Sequence, residues 1–162
     1  MEISIKLLYD KLNEEYEILE KIKRIEEQKY IMLIEGKLVD FSEHNETLEV
    51  LVKLSMKAEK ERIPLTKTVL NLFGLKDEAP ISEIIPHLDK ETQVLFLQIQ
   101  ESFKDILVDI RAFSSANKEM LNNTLRILDI SLSQITGEEE IDYGRNEKDK
   151  KISKSLLINK LA

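Results

Sequence analysis

The side chains of this 162-residue chain best suited to chemistry are two histidines, His44 and His87, among 31 aspartates and glutamates. Carboxylates and imidazoles on helices are the raw material of di-iron sites, which take Glu-x-x-His from each of two helices. The residues three positions before the histidines are Phe41 and Ile84, so the motif is absent. Cysteine is absent too, which removes disulfides, thiolate nucleophiles and Cys-based metal sites together. The four glycines form neither a phosphate-cradling loop nor a Gly-x-Ser-x-Gly elbow. The chain therefore reads as a non-enzyme, with no catalytic residue, metal site or cofactor expected.

What remains is the chemistry of recognition. His44, Arg62 and Asn117 are polar residues on apolar helical stripes. His44 reads as a packed or half-exposed seam residue, and Arg62 as a side chain that snorkels or pairs with a carboxylate on a neighbouring helix. Asn117 sits between Phe113 and Leu121, where it either sets the register of a seam or recognises a partner. Near the C-terminus Tyr143-Gly144 follows an acidic run, Glu138 to Glu140. Beyond it Ile152, Leu156, Leu157 and Leu161 share one side of a short amphipathic segment, with Lys154 and Lys160 largely elsewhere. So short a helix is not stable alone in water. It must dock on its own body, on a second copy or on a partner helix.

The elements that position these residues are helices. Gly and Pro are scarce and Leu, Ile, Lys and Glu dominate, a composition of long helices rather than of a sheet with many turns. The spacing predicts a first helix over 4–35 with the stripe Ile5, Leu8, Leu12, Tyr16, Leu19, Ile22, Tyr30 and Leu33, widened by Ile18, Ile25 and Met32 and stopped by Gly36. A second helix starts at Asp40, a cap with Glu43 at the capping-box position. Its strict three-four seam is Phe41, His44, Leu48, Leu51, Ser55, Ala58, Arg62, Leu65, Val69 and Leu72. Pro64 should kink or break it, and Gly74 ends it. The short link makes these two helices antiparallel neighbours.

Residues 75–88, with Pro80 and Pro86, read as a loop with one helical turn whose Ile81, Ile84, Ile85 and Leu88 plug an end of the bundle. A third helix runs from Asp89 to Ile135 on an eleven-residue spacing (Ile99, Ile110, Leu121, Leu132), with Phe103, Ile106, Leu125, Leu128 and Ile135 beside it. At ~1.5 Å per residue it would be about 65–70 Å long. The expectation is an all-α, elongated antiparallel bundle of three long helices with coiled-coil-like packing. Its body spans 1–137 and completes its core by Ile135; a flexible linker and amphipathic tail occupy 138–162.

Charge is uneven. Residues 145–162 hold 6 Lys and Arg against 2 Asp and Glu, a net of +4, whereas residues 1–144 carry −11 of the overall −7. An acidic body repels phosphate backbones, which argues against nucleic acid as a partner. A basic amphipathic tail suits an acidic protein surface or an anionic membrane. No apolar run is long enough to span a bilayer, and the first residues lack the pattern of a signal peptide. A cytoplasmic protein is expected, with homo-oligomerisation left open.

In order and spacing the chain resembles the FlgN family of flagellar export chaperones. The resemblance rests on the stretch from Glu27 to Lys37, on Lys60-Glu61-Arg62, on Asn117 with Met120-Leu121, and on Tyr143-Gly144 leading into a basic, Ser-containing apolar tail. Arg145-Asn146-Glu147 stands where the family often has a glycine. The resemblance implies a protein that binds hook–filament junction proteins, keeps them from assembling early and delivers them to the export gate. It associates cargo with the C-terminal segment, here Tyr143, Gly144, Ile152, Leu156, Leu157 and Leu161. A self-assembling coiled-coil adaptor is the alternative reading of the same pattern.

Overall fold

The computed structural model describes residues 2–136. They form three α-helices: α1 (Ile3–Glu35), α2 (Phe41–Leu72) and α3 (Lys90–Thr136). Two 3-10 turns, Ile81–Glu83 and Ile85–His87, lie between α2 and α3. There is no strand among the described residues, and the fold is all-α helical packing. Contacts divide the chain into two units, with the boundary between Met120 and Leu121, inside α3.

In the first unit α1 stops at Gly36, whose φ of 67° only glycine adopts without strain, and whose amide bonds the Met32 carbonyl. The chain reverses and starts α2 within a few residues. Early α1 therefore meets late α2, as in Lys11 with Glu61 and Glu15 with Arg62. Late α1 meets early α2, as in Lys29 over the Phe41 ring. Asp40 holds the N-cap position but its side chain makes no capping bond. Its carbonyl instead accepts from the His44 amide, and the capping box expected there does not form.

Pro64 does not break α2, which is continuous from Phe41 to Leu72. The α2 seam is as spaced in the sequence. Ala58 and Val69 are buried, while Phe41, His44, Leu48, Leu51, Ser55, Arg62 and Leu65 are half-buried; Leu72 alone is exposed.

The connection to α3 holds two short turns rather than one. Ile84, Ile85 and Leu88 are buried, packed with Leu8, Val69 and Phe96 in the larger of two apolar clusters. Each such side chain fully removed from water contributes about 1.5–3 kcal/mol. Asp89 then caps α3: its carboxylate accepts from the Thr92 amide at 3.0 Å and the Thr92 hydroxyl at 2.7 Å.

α3 runs parallel to α1 and packs on it through tilted ring pairs that climb both helices together. These are Tyr9 with Phe96, Tyr16 with Phe103 and Tyr30 with Phe113, at centroid distances of 5.6, 5.8 and 5.7 Å. Lys23 to Asp109 at 2.6 Å adds an ion pair.

Two seams differ from the expected ones. On α1 the buried row is Ile5, Leu8, Leu12, Glu15, Leu19, Ile22, Glu26 and Lys29. It keeps the three-four alternation to the end, so Glu15, Glu26 and Lys29 take the places expected for Tyr16, Tyr30 and Leu33. The tyrosines flank the row and turn to α3. On α3 the packed row is a heptad row, from Thr92 and Phe96 through Ile99, Phe103, Ile106, Ile110 and Phe113 to Asn117. The last ring pair lies near the end of α1, so the seam α1 offers is used up by about Met120.

The described part of the second unit is the last stretch of α3, Leu121 to Thr136. Here the expectation of a core completed by Ile135 fails. Leu121 is half-buried, but Leu125, Leu128, Leu132 and Ile135 are exposed, Ile135 by 82%.

Candidate functional site

Five polar residues on apolar seams, Glu15, Arg62, Glu26, Lys29 and Asn117, can be built from the residues upward. Glu15 and Arg62 are seam residues of antiparallel helices. The Arg62 Nε donates to Glu15 Oε2 at 2.7 Å, which fulfils the expected pairing with a neighbouring carboxylate. Farther along, Glu26 and Lys29 lie one turn apart with Nζ 3.6 Å from Oε2. Asn117 is 3% exposed and donates through Nδ2 to the Glu26 carboxylate at 2.6 Å and to the Glu26 carbonyl at 2.9 Å. Its Oδ1 is buried without a hydrogen-bond partner. Asn117, expected either as a register residue or as a partner contact, is thus enclosed between α1 and α3 and committed to Glu26. In this packing it bridges α1 and α3.

The ionisable groups that depart from ordinary behaviour lie elsewhere, in ion pairs, at the α3 cap and at one part-buried tyrosine. Glu14 and Glu61 hold the Lys11 ammonium above the usual lysine range, and Lys11 holds Glu61 below the usual carboxylate range. Asp109 likewise raises Lys23, and burial, with Glu20 beside it, pushes the Tyr16 phenol up. His44 places Nδ1 2.8 Å from the Asp40 carbonyl, and His87 stacks on Phe73. Among the described residues no group of three or more His, Asp or Glu is placed to hold a metal ion. No helix among them is long and apolar enough to cross a membrane.

The feature that stands out is apolar. Leu121, Leu125, Leu128, Leu132 and Ile135 step by four, three, four and three, the spacing of a coiled-coil seam. Only Arg126 and Asp129 carry charge between Leu121 and Thr136. A row of this kind excludes water only against another helix. The residues singled out beyond it, Tyr143, Gly144, Ile152, Leu156, Leu157 and Leu161, lie outside the described residues.

The sequence of residues 1–150 matches the family model described as FlgN protein. The chain belongs to the FlgN family. This is a family of flagellar export chaperones, and the match covers all the described helices together with Tyr143 and Gly144. No curated protein and no solved structure matches the chain.

Sequence reasoning missed Glu15, Glu26 and Lys29 as seam residues. The signal was present: carried strictly past Leu12 and Ile22, the three-four alternation lands on all three.

Proposed function

We propose that this FlgN-family chain is a cytoplasmic, non-catalytic export chaperone for hook–filament junction proteins. It covers helical segments of its cargo that would otherwise assemble early, and it delivers the cargo to the export gate. The observation that carries this reading is the exposed seam from Leu125 to Ile135, which leads directly into the tail that holds Tyr143, Gly144, Ile152, Leu156, Leu157 and Leu161. Junction proteins whose ends pair by helix packing are matched by a chaperone that offers apolar rows in place of the missing partner. The basic residues of the tail steer association, and the leucines supply affinity.

Titration calorimetry against a junction-protein fragment tests this. Replacing Leu156 and Leu161 together by Ala should weaken binding by roughly a hundredfold, from about 1.5–3 kcal/mol per buried leucine. Replacing Lys154 and Lys160 should slow association, less so at high salt. Parent-like affinity in the leucine variant would remove the tail from the site. The same exposed row also favours a second reading, a homodimer closed by two α3 ends, which concentration-dependent sedimentation distinguishes.

A further inference from the structure

The buried side chains of the first unit change in kind along its length. Apolar ones reach Ile22 on α1, Ala58 on α2 and Ile106 on α3. From there to the α1–α2 turn, the buried side chains among the described residues are Glu26, Lys29 and Asn117. Leu48, Leu51, Ile110 and Phe113, which lie on the same stretches, are half-buried. One end of the unit is therefore closed by apolar packing and the other around a small polar cluster.

That cluster is incompletely satisfied. Asn117 gives its Nδ2 hydrogens to Glu26, and its Oδ1 is buried without a hydrogen-bond partner. The Lys29 Nζ lies 3.6 Å from Glu26 Oε2, longer than a hydrogen bond, and 5.5 Å from the centroid of the Phe41 ring. A buried polar group short of partners gains by meeting water. Opening this end to solvent thus returns part of what it costs, whereas opening the apolar end exposes hydrocarbon and returns nothing.

The helix placed to part here is α3. α1 and α2 approach each other closely and are joined by a short turn, and Lys29 over the Phe41 ring adds to that contact. α3 meets α1 across bulky rings instead. At this end it is tied by the Asn117 bonds to Glu26 and by the Tyr30–Phe113 pair.

We propose that the Glu26–Lys29–Asn117 cluster is a latch. α3 from Phe113 to Met120 parts from the α1–α2 hairpin by local opening, while the apolar cluster around Leu8, Leu70 and Phe96 stays closed. The opening uncovers Tyr30 and Phe113, so the latch sets how far toward its middle α3 presents apolar surface. The inference concerns the free chain and does not rest on the chaperone reading.

Hydrogen–deuterium exchange of the full chain, read amide by amide, tests it. Amides from Phe113 to Met120 should be about tenfold or more less protected than those around Leu8, Leu70 and Phe96. Replacing Glu26, Lys29 and Asn117 together by Leu should raise their protection about tenfold or more and leave the apolar end unchanged. Glu26→Gln keeps the shape of the side chain and removes the charge that Lys29 and Asn117 share. It should lower protection from Phe113 to Met120 about threefold or more, again without effect at the apolar end. The substituted residue lies on α1 and the amides read lie on α3, so fraying of α3 alone does not give this response. Equal protection at the two ends of the unit overturns the proposal. So does a triple variant with unchanged or lower protection from Phe113 to Met120 while the apolar end is intact. If the triple variant loses protection at the apolar end as well, its fold has changed and Glu26→Gln decides. Parent-like exchange from Phe113 to Met120 in that variant overturns the latch.

Discussion

One helix, α3, carries the same kind of apolar row along its first and last parts, and the two meet opposite fates. Phe96, Ile99 and Ile106 are buried in the first unit, while Leu125, Leu128 and Ile135 in the second are exposed. The difference lies in the neighbours. The first row has α1 beside it, matched ring by ring, and α1 is used up near Met120. A heptad row therefore states that a helix face needs a partner; it does not state that the same chain supplies one. Under the chaperone function proposed above, the part of the row without a described neighbour is the part offered to cargo.

The contrast is broken most strongly by truncating a core ring. Phe96→Ala should cost about 3–5 kcal/mol in urea unfolding, while Leu128→Ala should stay within about 0.5 kcal/mol of the parent. Similar losses at both positions would mean the two rows are equally packed.

The polar members of the α1 seam sharpen the comparison next. Glu26→Ala strands the Lys29 ammonium in a buried site and leaves the Asn117 amide only its bond to the backbone carbonyl at position 26, and should cost about 3 kcal/mol. Replacing Glu26 and Lys29 together by Leu should recover most of that loss, because the penalty comes from the unpaired charge. A double variant as unstable as the single one would contradict that cause.

The smallest effect is at the start of α3. Hydrogen bonds from the Thr92 hydroxyl and amide hold Asp89 below the usual carboxylate range. A carboxylate with a lowered folded pKa stabilises fully above its unfolded value near 3.8 and loses that contribution as pH falls through the lowered one. Asp89→Ala should therefore melt slightly below the parent at neutral pH, and the two curves should converge in strong acid. A gap that persists there would show that the cap does not act through its charge.

Much of the scaffold was legible because periodicity reports it directly. The α2 seam, the Gly36 stop, the Asp89 cap and the apolar plug at Ile84 and Ile85 all follow from spacing and residue type. The capping box at Asp40 was not legible as absent, because the residue type permits it and only the local backbone, with a φ of −99° and ψ of 10°, decides. Glu15, Glu26 and Lys29 were hidden because charge usually marks a solvated face, and burial here depends on partners from α2 and α3. The exposure beyond Met120 was hidden for a related reason. Leu128 looks like core in sequence, and only the structure shows that α1 ends before it and that no described residue buries it. The Arg62 pairing was legible as a type of contact, but its partner Glu15 was not.

Hydrogen–deuterium exchange of the full chain, with and without a junction-protein fragment, tests the central claim most directly. Amides from Leu121 to Thr136 belong to a helix with little buried apolar contact, and should exchange fast in the free protein. On adding the fragment they should slow by about tenfold or more, while the amides around Leu8, Leu70 and Phe96, already protected, change little. Unchanged exchange from Leu121 to Thr136 in a sample where the fragment is bound would contradict the account, because the exposed row of α3 would then have no part in holding cargo.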